Sequence, residues 1–350
     1  MTLTKLNYNI MTEFKTRKIR VSRVNESITN PDGTVTVTKG NVYEERPLRS
    51  VENIITFLKT DPEYSTKLKY NLFTNNLEYN GERDLDKITS CILCDVERNL
   101  GFYSPKKVKR AIEALTNEKI NPYHPVKGFL DNQRWDGNNR IDSMIIDWFR
   151  IEDTPLNRLK SSVFMRAAVK RIMEPGCEFK NVLLFTNDDH VASFTFCQQL
   201  NAIFSTIDVV DIKNIKEYAP LLNEGWICYM SELRGSTAKQ QMLTRDILRA
   251  SEDTFVPFYE KKQVTNKRHC VFMGTTYNDK FLKFNSITPD SMYWIVDCSN
   301  TDEYNIHRNF DDNTVKQLWA EAYYKYKKDP DISRDIIKIK NMIESQNNNK

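Results

Sequence analysis

Four short runs of the chain are apolar almost without interruption: "KNVLLF" (180–185), "GWICYM" (225–230), "RHCVFMGTT" (268–276) and "MYWIVDC" (292–298). Helices are predicted between them, over 195–203 and 236–250. A strand that faces water on one side alternates apolar with polar residues, and a strand lacking that alternation must be covered on both sides. Helical crossovers between parallel strands supply such cover. The chain is therefore read as α/β, with a parallel sheet and flanking helices in its C-terminal half.

Signals upstream are more local. Residues 1–48 mix charge with β-branched residues around the turn "NPDG" (30–33), followed by the alternating "TVTVT". They predict a short hairpin or a loosely held arm. Over 49–120 the pattern predicts a small α+β module, winged-helix-like in outline. In it Ser50 caps a helix through Leu58, two short strands lie within 70–82, and a helix covers 84–97. A further helix starts at Ser104 and Pro105. A helical linker follows over 121–175, with a turn at "DGNN" (136–139) and a long helix over 154–173 stopped by "EPGCEF". The sheet-bearing core is placed at 176–328, and a C-terminal helix with a disordered tail at 329–350.

Composition narrows the chemistry. The net charge of +4 permits a nucleic-acid partner without requiring one. Seven scattered cysteines suit a reducing cytoplasm better than a disulfide framework. "CILC" (91–94) has no second pair and no nearby histidine, so Cys91 and Cys94 are read as buried small residues rather than zinc ligands. His124 and His190 lack ligand spacing, and no Ser/His/Asp or Cys/His constellation stands out. Trp135, Trp148, Trp226, Trp294 and Trp319 fall in apolar patterns and are assigned to the core. No apolar run reaches the roughly 20 residues of a membrane helix, and the N-terminus has no leader-like core. A soluble cytoplasmic protein without a membrane partner is expected.

The chemistry-bearing stretch is "FTNDDHVASFTF" (185–196), a strand, a loop and a helix. That is the frame of a phosphate-binding loop, yet it contains no glycine and no lysine. Its surroundings resemble the virulence-associated protein E family, P-loop ATPases of phages, plasmids and integrated elements similar to superfamily 3 and AAA+ helicases. The resemblance rests on "YHPVKGFLDNQRWDGNNRIDS", "AVKRIMEPGCEFKNVLLF", "LLNEGWICYMSEL", "RHCVFMGTT" and "QLWAEAYYKYK", in that order, over roughly residues 50–327. It implies a RecA/AAA+-like P-loop NTPase core and residence in a bacterial host cytoplasm.

Placed on the family's G-x-x-x-x-G-K-S/T, the glycines fall on Asn187 and Ala192, the lysine on Ser193, and the magnesium-binding hydroxyl on Phe194, with Thr195 beside it. Glycines let backbone wrap phosphate, and lysine neutralises it. Asp188 and Asp189 add charge of the wrong sign. By the same resemblance the first Walker B acid falls on Tyr229, while Glu232 keeps the second. The sensor asparagine falls on Tyr277, with Asn278 one place late, and the two arginines near the γ-phosphate fall on Ser291 and Met292. The resemblance thus implies a pseudo-ATPase with no ATP or magnesium cofactor. Lys261, Lys262, Lys267 and Arg268 lie in the segment that the family shapes into a basic, DNA-facing hairpin. The implied partners are DNA (single-stranded or origin), a replicative helicase or primase, and other copies in a hexamer-like ring. An active ATPase with a non-standard pocket, and an interaction module that regulates a helicase, stand as alternatives.

Overall fold

Buried apolar stripes fix each half of the chain, which divides into two units, Met1–Tyr123 and His124–Lys350. The computed structural model describes residues 13–29, 31, 33, 35–101, 103–186, 191–201, 204, 206–208, 215–231, 238–256, 263–277, 292–299 and 310–348.

The first unit opens with a two-stranded antiparallel ribbon, β1 (Thr16–Thr29) and β2 (Val35–Pro47). At 14 and 13 residues its strands far exceed the short hairpin expected. Its foot is pinned by the buried Asn53, whose side chain accepts from the Lys15 amide (3.0 Å) and donates to the Lys15 and Leu48 carbonyls (2.8 and 2.9 Å). The ribbon leads into α1 (Val51–Thr60), capped by the Ser50 hydroxyl, and α2 (Pro62–Lys67). β3 (Leu68–Asn71) and β4 (Asn76–Tyr79) form a tight pair. After α3 (Leu85–Leu100) and α4 (Pro105–Asn117), β5 (Pro122–Tyr123) joins β3 in parallel.

Ile88, Ile92 and Val96 put one stripe of α3 against Ile54, Phe57, Leu58, Val108, Ile112 and Leu115. That stripe corrects the reading of "CILC": Cys91 and Cys94 lie off it and are exposed. Among the described residues no group of three metal-ligating side chains forms. Ser104 makes no side-chain cap bond, so α4 starts on Pro105 alone.

The second unit begins with α5 (Pro125–Asp131), α6 (Met144–Phe149) and α7 (Pro155–Met173). Then strands and helices alternate: β6 (Val182–Thr186), α8 (Val191–Asn201), β7 (Ile207–Asp208), α9 (Ile215–Leu222), β8 (Ile227–Met230) and α10 (Ala238–Arg249). A hairpin of β9 (Glu252–Phe255) and β10 (Val264–Lys267) precedes β11 (Val271–Thr275) and β12 (Tyr293–Asp297). Helices α11 (Asp312–Lys328) and α12 (Ser333–Asn348) end the described residues.

The main sheet runs β12-β6-β11-β8-β7, with every pairing parallel. Each residue of β6, β8 and β11 is buried, as their apolar runs require. Gly274 in β11 has a specific role: a Cβ there would stand 2.6 Å from the Met230 carbonyl oxygen of the neighbouring strand. No helix among the described residues is long and apolar enough to cross a membrane.

Asn53 ties both ribbon strands to α1 through the Lys15 amide and the Lys15 and Leu48 carbonyls. The Lys15 carbonyl also accepts from the Leu48 amide, and the Leu48 carbonyl from the Ser50 amide and the Tyr103 hydroxyl. Asn53→Ala is therefore expected to cost about 2–3 kcal/mol in urea unfolding, with faster amide exchange at Lys15 as the local readout.

Candidate functional site

In open parallel sheets ligands bind at the carboxyl ends of the strands, and the sequence-predicted positions meet there. Ser193 sits in the first turn of α8, after β6. Tyr229 lies near the end of β8, and Thr275 ends β11, the strand between them. The Ser193 and Tyr229 hydroxyls are 2.6 Å apart, and Tyr229 Oη donates to Thr275 Oγ1 at 3.4 Å. Ser193 and Tyr229 are wholly buried. The Phe194 ring stands edge-on to the Tyr229 ring, with centroids 5.2 Å apart.

The side chains at the lysine and first-acid positions thus touch each other. In a nucleotide site, phosphate and metal separate such groups. Here a neutral hydroxyl chain and two rings occupy the gap. A phenol lacks the charge with which a carboxylate holds Mg²⁺, and a serine cannot neutralise phosphate. These residues do not fit ATP–magnesium.

The other predicted positions scatter. Ala192 and Thr195 are half-buried on α8. Met292 is buried among Val182, Leu184 and Cys228 as part of the core. Tyr277 is exposed beyond β11. Asn187, His190, Glu232, Asn278, Ser291, Lys261 and Lys262 lie outside the described residues. Sequence reasoning passed over Thr275 and the fully buried Asn201. The Asn201 amide donates to the Ile227 carbonyl (3.0 Å) and accepts from the Ile227 amide (3.1 Å), clamping α8 to β8. Only its position at the end of an apolar helix hinted at this.

The hairpin of β9 and β10 follows the same strand logic. Lys267 is exposed, and the next residue, Arg268, points inward and is 2% exposed. Its guanidinium grips Asp253 through two nitrogens, with Nε to Oδ2 at 2.7 Å, and donates to the Ile247 carbonyl. Arg268 is therefore withdrawn as a DNA contact, because a buried guanidinium bound to a carboxylate cannot reach phosphate. The "PGC" stretch braces the same spot. The Gly176 amide donates to the Arg268 carbonyl at 2.8 Å, and at φ +85° a Cβ would lie 3.2 Å from the Ser251 carbonyl.

The two remaining signatures lock onto each other. Gln317 accepts from the Asp136 amide and donates to the Arg134 carbonyl, both at 2.9 Å. The wholly buried Glu321 carboxylate accepts the Arg140 and Ile141 amides at 2.6 and 3.0 Å. Lys325 Nζ stands 2.7 Å from its other oxygen, near enough for an ion pair though off hydrogen-bond geometry. Within the loop, the Arg140 fork holds Asp136 well below the usual carboxylate range. Trp319 stacks on Trp226 at 3.9 Å and donates to the Leu200 carbonyl of α8. Four of the five tryptophans are core; Trp135 is half-buried, packed on Tyr324.

Both described histidines are structural. His124 Nδ1 accepts the Lys127 amide at the start of α5, and burial lowers its pKa to about 4. His269 is lowered to about 3 by burial, with His124 and the Arg171 and Arg268 guanidiniums adding repulsion.

The second unit is thus a parallel α/β unit in which neutral hydroxyls and rings meet at the carboxyl edge of the sheet. Residues 130–350 match the virulence-associated protein E-like domain, and the chain belongs to that family. Among solved structures it is similar to two apo structures of the NrS-1 C-terminal region. One is 11% identical with TM-score 0.43, covering 78% of this chain and 68% of that one. The other, residues 305–718 of that protein, is 11% identical with TM-score 0.40, covering 71% and 60%. Comparison with curated proteins finds no match.

Tyr229→Phe is expected to cost about 1–2 kcal/mol by stranding a buried hydroxyl. Ser193→Lys, which an open pocket would tolerate, should cost about 3–5 kcal/mol by burying an unpaired charge. Chemical denaturation of both variants reads these outcomes.

Because the folded pKa of His269 lies below its ordinary 6.5, only the unfolded chain takes up that proton as pH falls through 6.5. Stability is full above 6.5 and should drop by about 1.4 kcal/mol per pH unit toward pH 5. His124, lowered to about 4, adds to the slope in the same window, so His269→Gln should reduce the slope without abolishing it in denaturation midpoints measured from pH 8 to 5.

Proposed function

We propose that this chain is a non-catalytic, helicase-like DNA-replication protein of a phage or other mobile element, built on a degenerate RecA/AAA+-type P-loop core. The observation that carries this reading is the contact of Ser193 with Tyr229. The convergence of β6, β11 and β8 at one sheet edge supports the P-loop assignment, since that edge is where such folds bind ligands. The signatures that identify the family are retained as scaffold contacts, whereas the described positions aligned with the nucleotide machinery carry a methyl, a hydroxyl, a ring or a thioether.

Function then falls to binding. Lys267 is exposed on β10, and the sequence places Lys261 and Lys262 in the same hairpin. Positive charge alone serves phosphate contact. The partners proposed are DNA, single-stranded or origin, together with a replicative helicase or primase, in a ring of copies or alongside an active one.

The decisive measurement is ATP hydrolysis at millimolar nucleotide with and without single-stranded DNA, paired with a thermal-shift titration of Mg-ATP. No turnover and no added stability are expected. Turnover that Glu232→Gln abolishes would overturn the reading. Reversing Lys261 and Lys262 to glutamate should weaken DNA binding across all sequences and reduce the salt slope by about 2.

A further inference from the structure

The ribbon of the first unit plays no part in that reading, yet it concentrates charge. Its two strands carry six lysines and arginines against three glutamates, in a chain whose net charge is only +4. Strand geometry decides where those charges point. Side chains alternate faces with a period of two, so Arg20 and Arg23, three residues apart, belong on opposite faces of a regular strand. The register shift between Arg20 and Ser22 reverses this. Arg20 stands opposite Tyr43 and Arg23 opposite Asn41, two residues apart on β2 and hence on one face. Lys18, opposite Glu45, falls on the same face.

The bulge therefore gathers Lys18, Arg20 and Arg23, against the single acid Glu45, with Tyr43 on one exposed face, the three cations at intervals of about 7 Å given the strand rise. The other face takes Ile19, Val42 and Arg17, along with Glu44 and Arg46, which pair at 2.8 Å. Among the described residues Lys18, Arg20 and Arg23 have no ion-pair partner. Among the described residues the ribbon pairs with no further strand, and it is pinned at its foot by Asn53.

Shape and charge together select one occupant. A two-stranded ribbon fits the major groove of B-DNA, about 12 Å wide. The narrow major groove of an RNA duplex excludes it. A second copy meeting it edge to edge along β1 would bring like charges together. We propose that the β1–β2 ribbon is a DNA-contacting element that lies in the major groove of duplex DNA, with its Lys18–Arg20–Arg23 face toward the phosphates and base edges. This rests on the DNA-replication reading and deepens it, giving the chain a duplex contact separate from the hairpin of the second unit.

The test is fluorescence anisotropy of the full chain on a duplex of about 25 base pairs, over a salt series. The Arg20→Glu/Arg23→Glu double variant should lose affinity by about tenfold or more and lower the salt slope by about 2. Arg17→Glu/Arg46→Glu, on the opposite face, should lose less than about threefold, and Arg20→Lys/Arg23→Lys should keep most binding. Unchanged thermal unfolding guards against misfolding. Equal losses from the two glutamate pairs would reduce the effect to diffuse attraction and overturn the proposal. So would equal binding of an RNA duplex, or a light-scattering mass that falls in the Arg20/Arg23 variant while DNA affinity holds. If that variant binds normally while Lys261→Glu/Lys262→Glu does not, the ribbon fails and the DNA reading stands. If the unaltered chain ignores DNA at low salt, both fall.

Discussion

A phenol hydroxyl buried at the carboxyl edge of a parallel sheet must find partners or it weakens the sheet around it. Tyr229 finds them in Ser193 and Thr275, and this exchange sets the character of the second unit. It joins the helix after β6 to the ends of two other strands without any charge. This edge of the sheet is thus held by hydrogen bonds between neutral hydroxyls and by the Phe194 and Tyr229 rings.

The rest of the unit is arranged to hold that edge steady. Asn201 fixes the far end of α8 to β8, and Trp319 reaches the last turn of α8 from α11. Glu321, two residues on along α11 and so about half a turn round, holds the end of the preceding loop by the Arg140 and Ile141 amides. Gly176 and Arg268 brace the base of the hairpin. The stretches that mark the family are therefore contacts between distant segments.

Much of this was legible in the residues. β6, β8 and β11 are buried on both faces because their runs never alternate, and Ser50 and Pro105 start helices where their chemistry predicts. Other features depend on partners far along the chain. Arg268 reads as one of four basic residues until β9 places Asp253 beside it, fifteen residues upstream. Cys91 and Cys94 read as buried because cysteine is apolar, although the Ile88, Ile92, Val96 stripe already assigned the inner face of α3. Trp135 reads as core, but its loop reaches only as far as Tyr324.

By itself the sequence determined the α/β class and the family, since those are matters of residue type and local period. Only the tertiary structure decided which of those residues meet. The meeting of Ser193 with Tyr229 needs three strands in order, and the common face of Arg20 and Arg23 needs the pairing register with its one-residue shift. Direction in space is set by cross-strand partners, which no local pattern specifies.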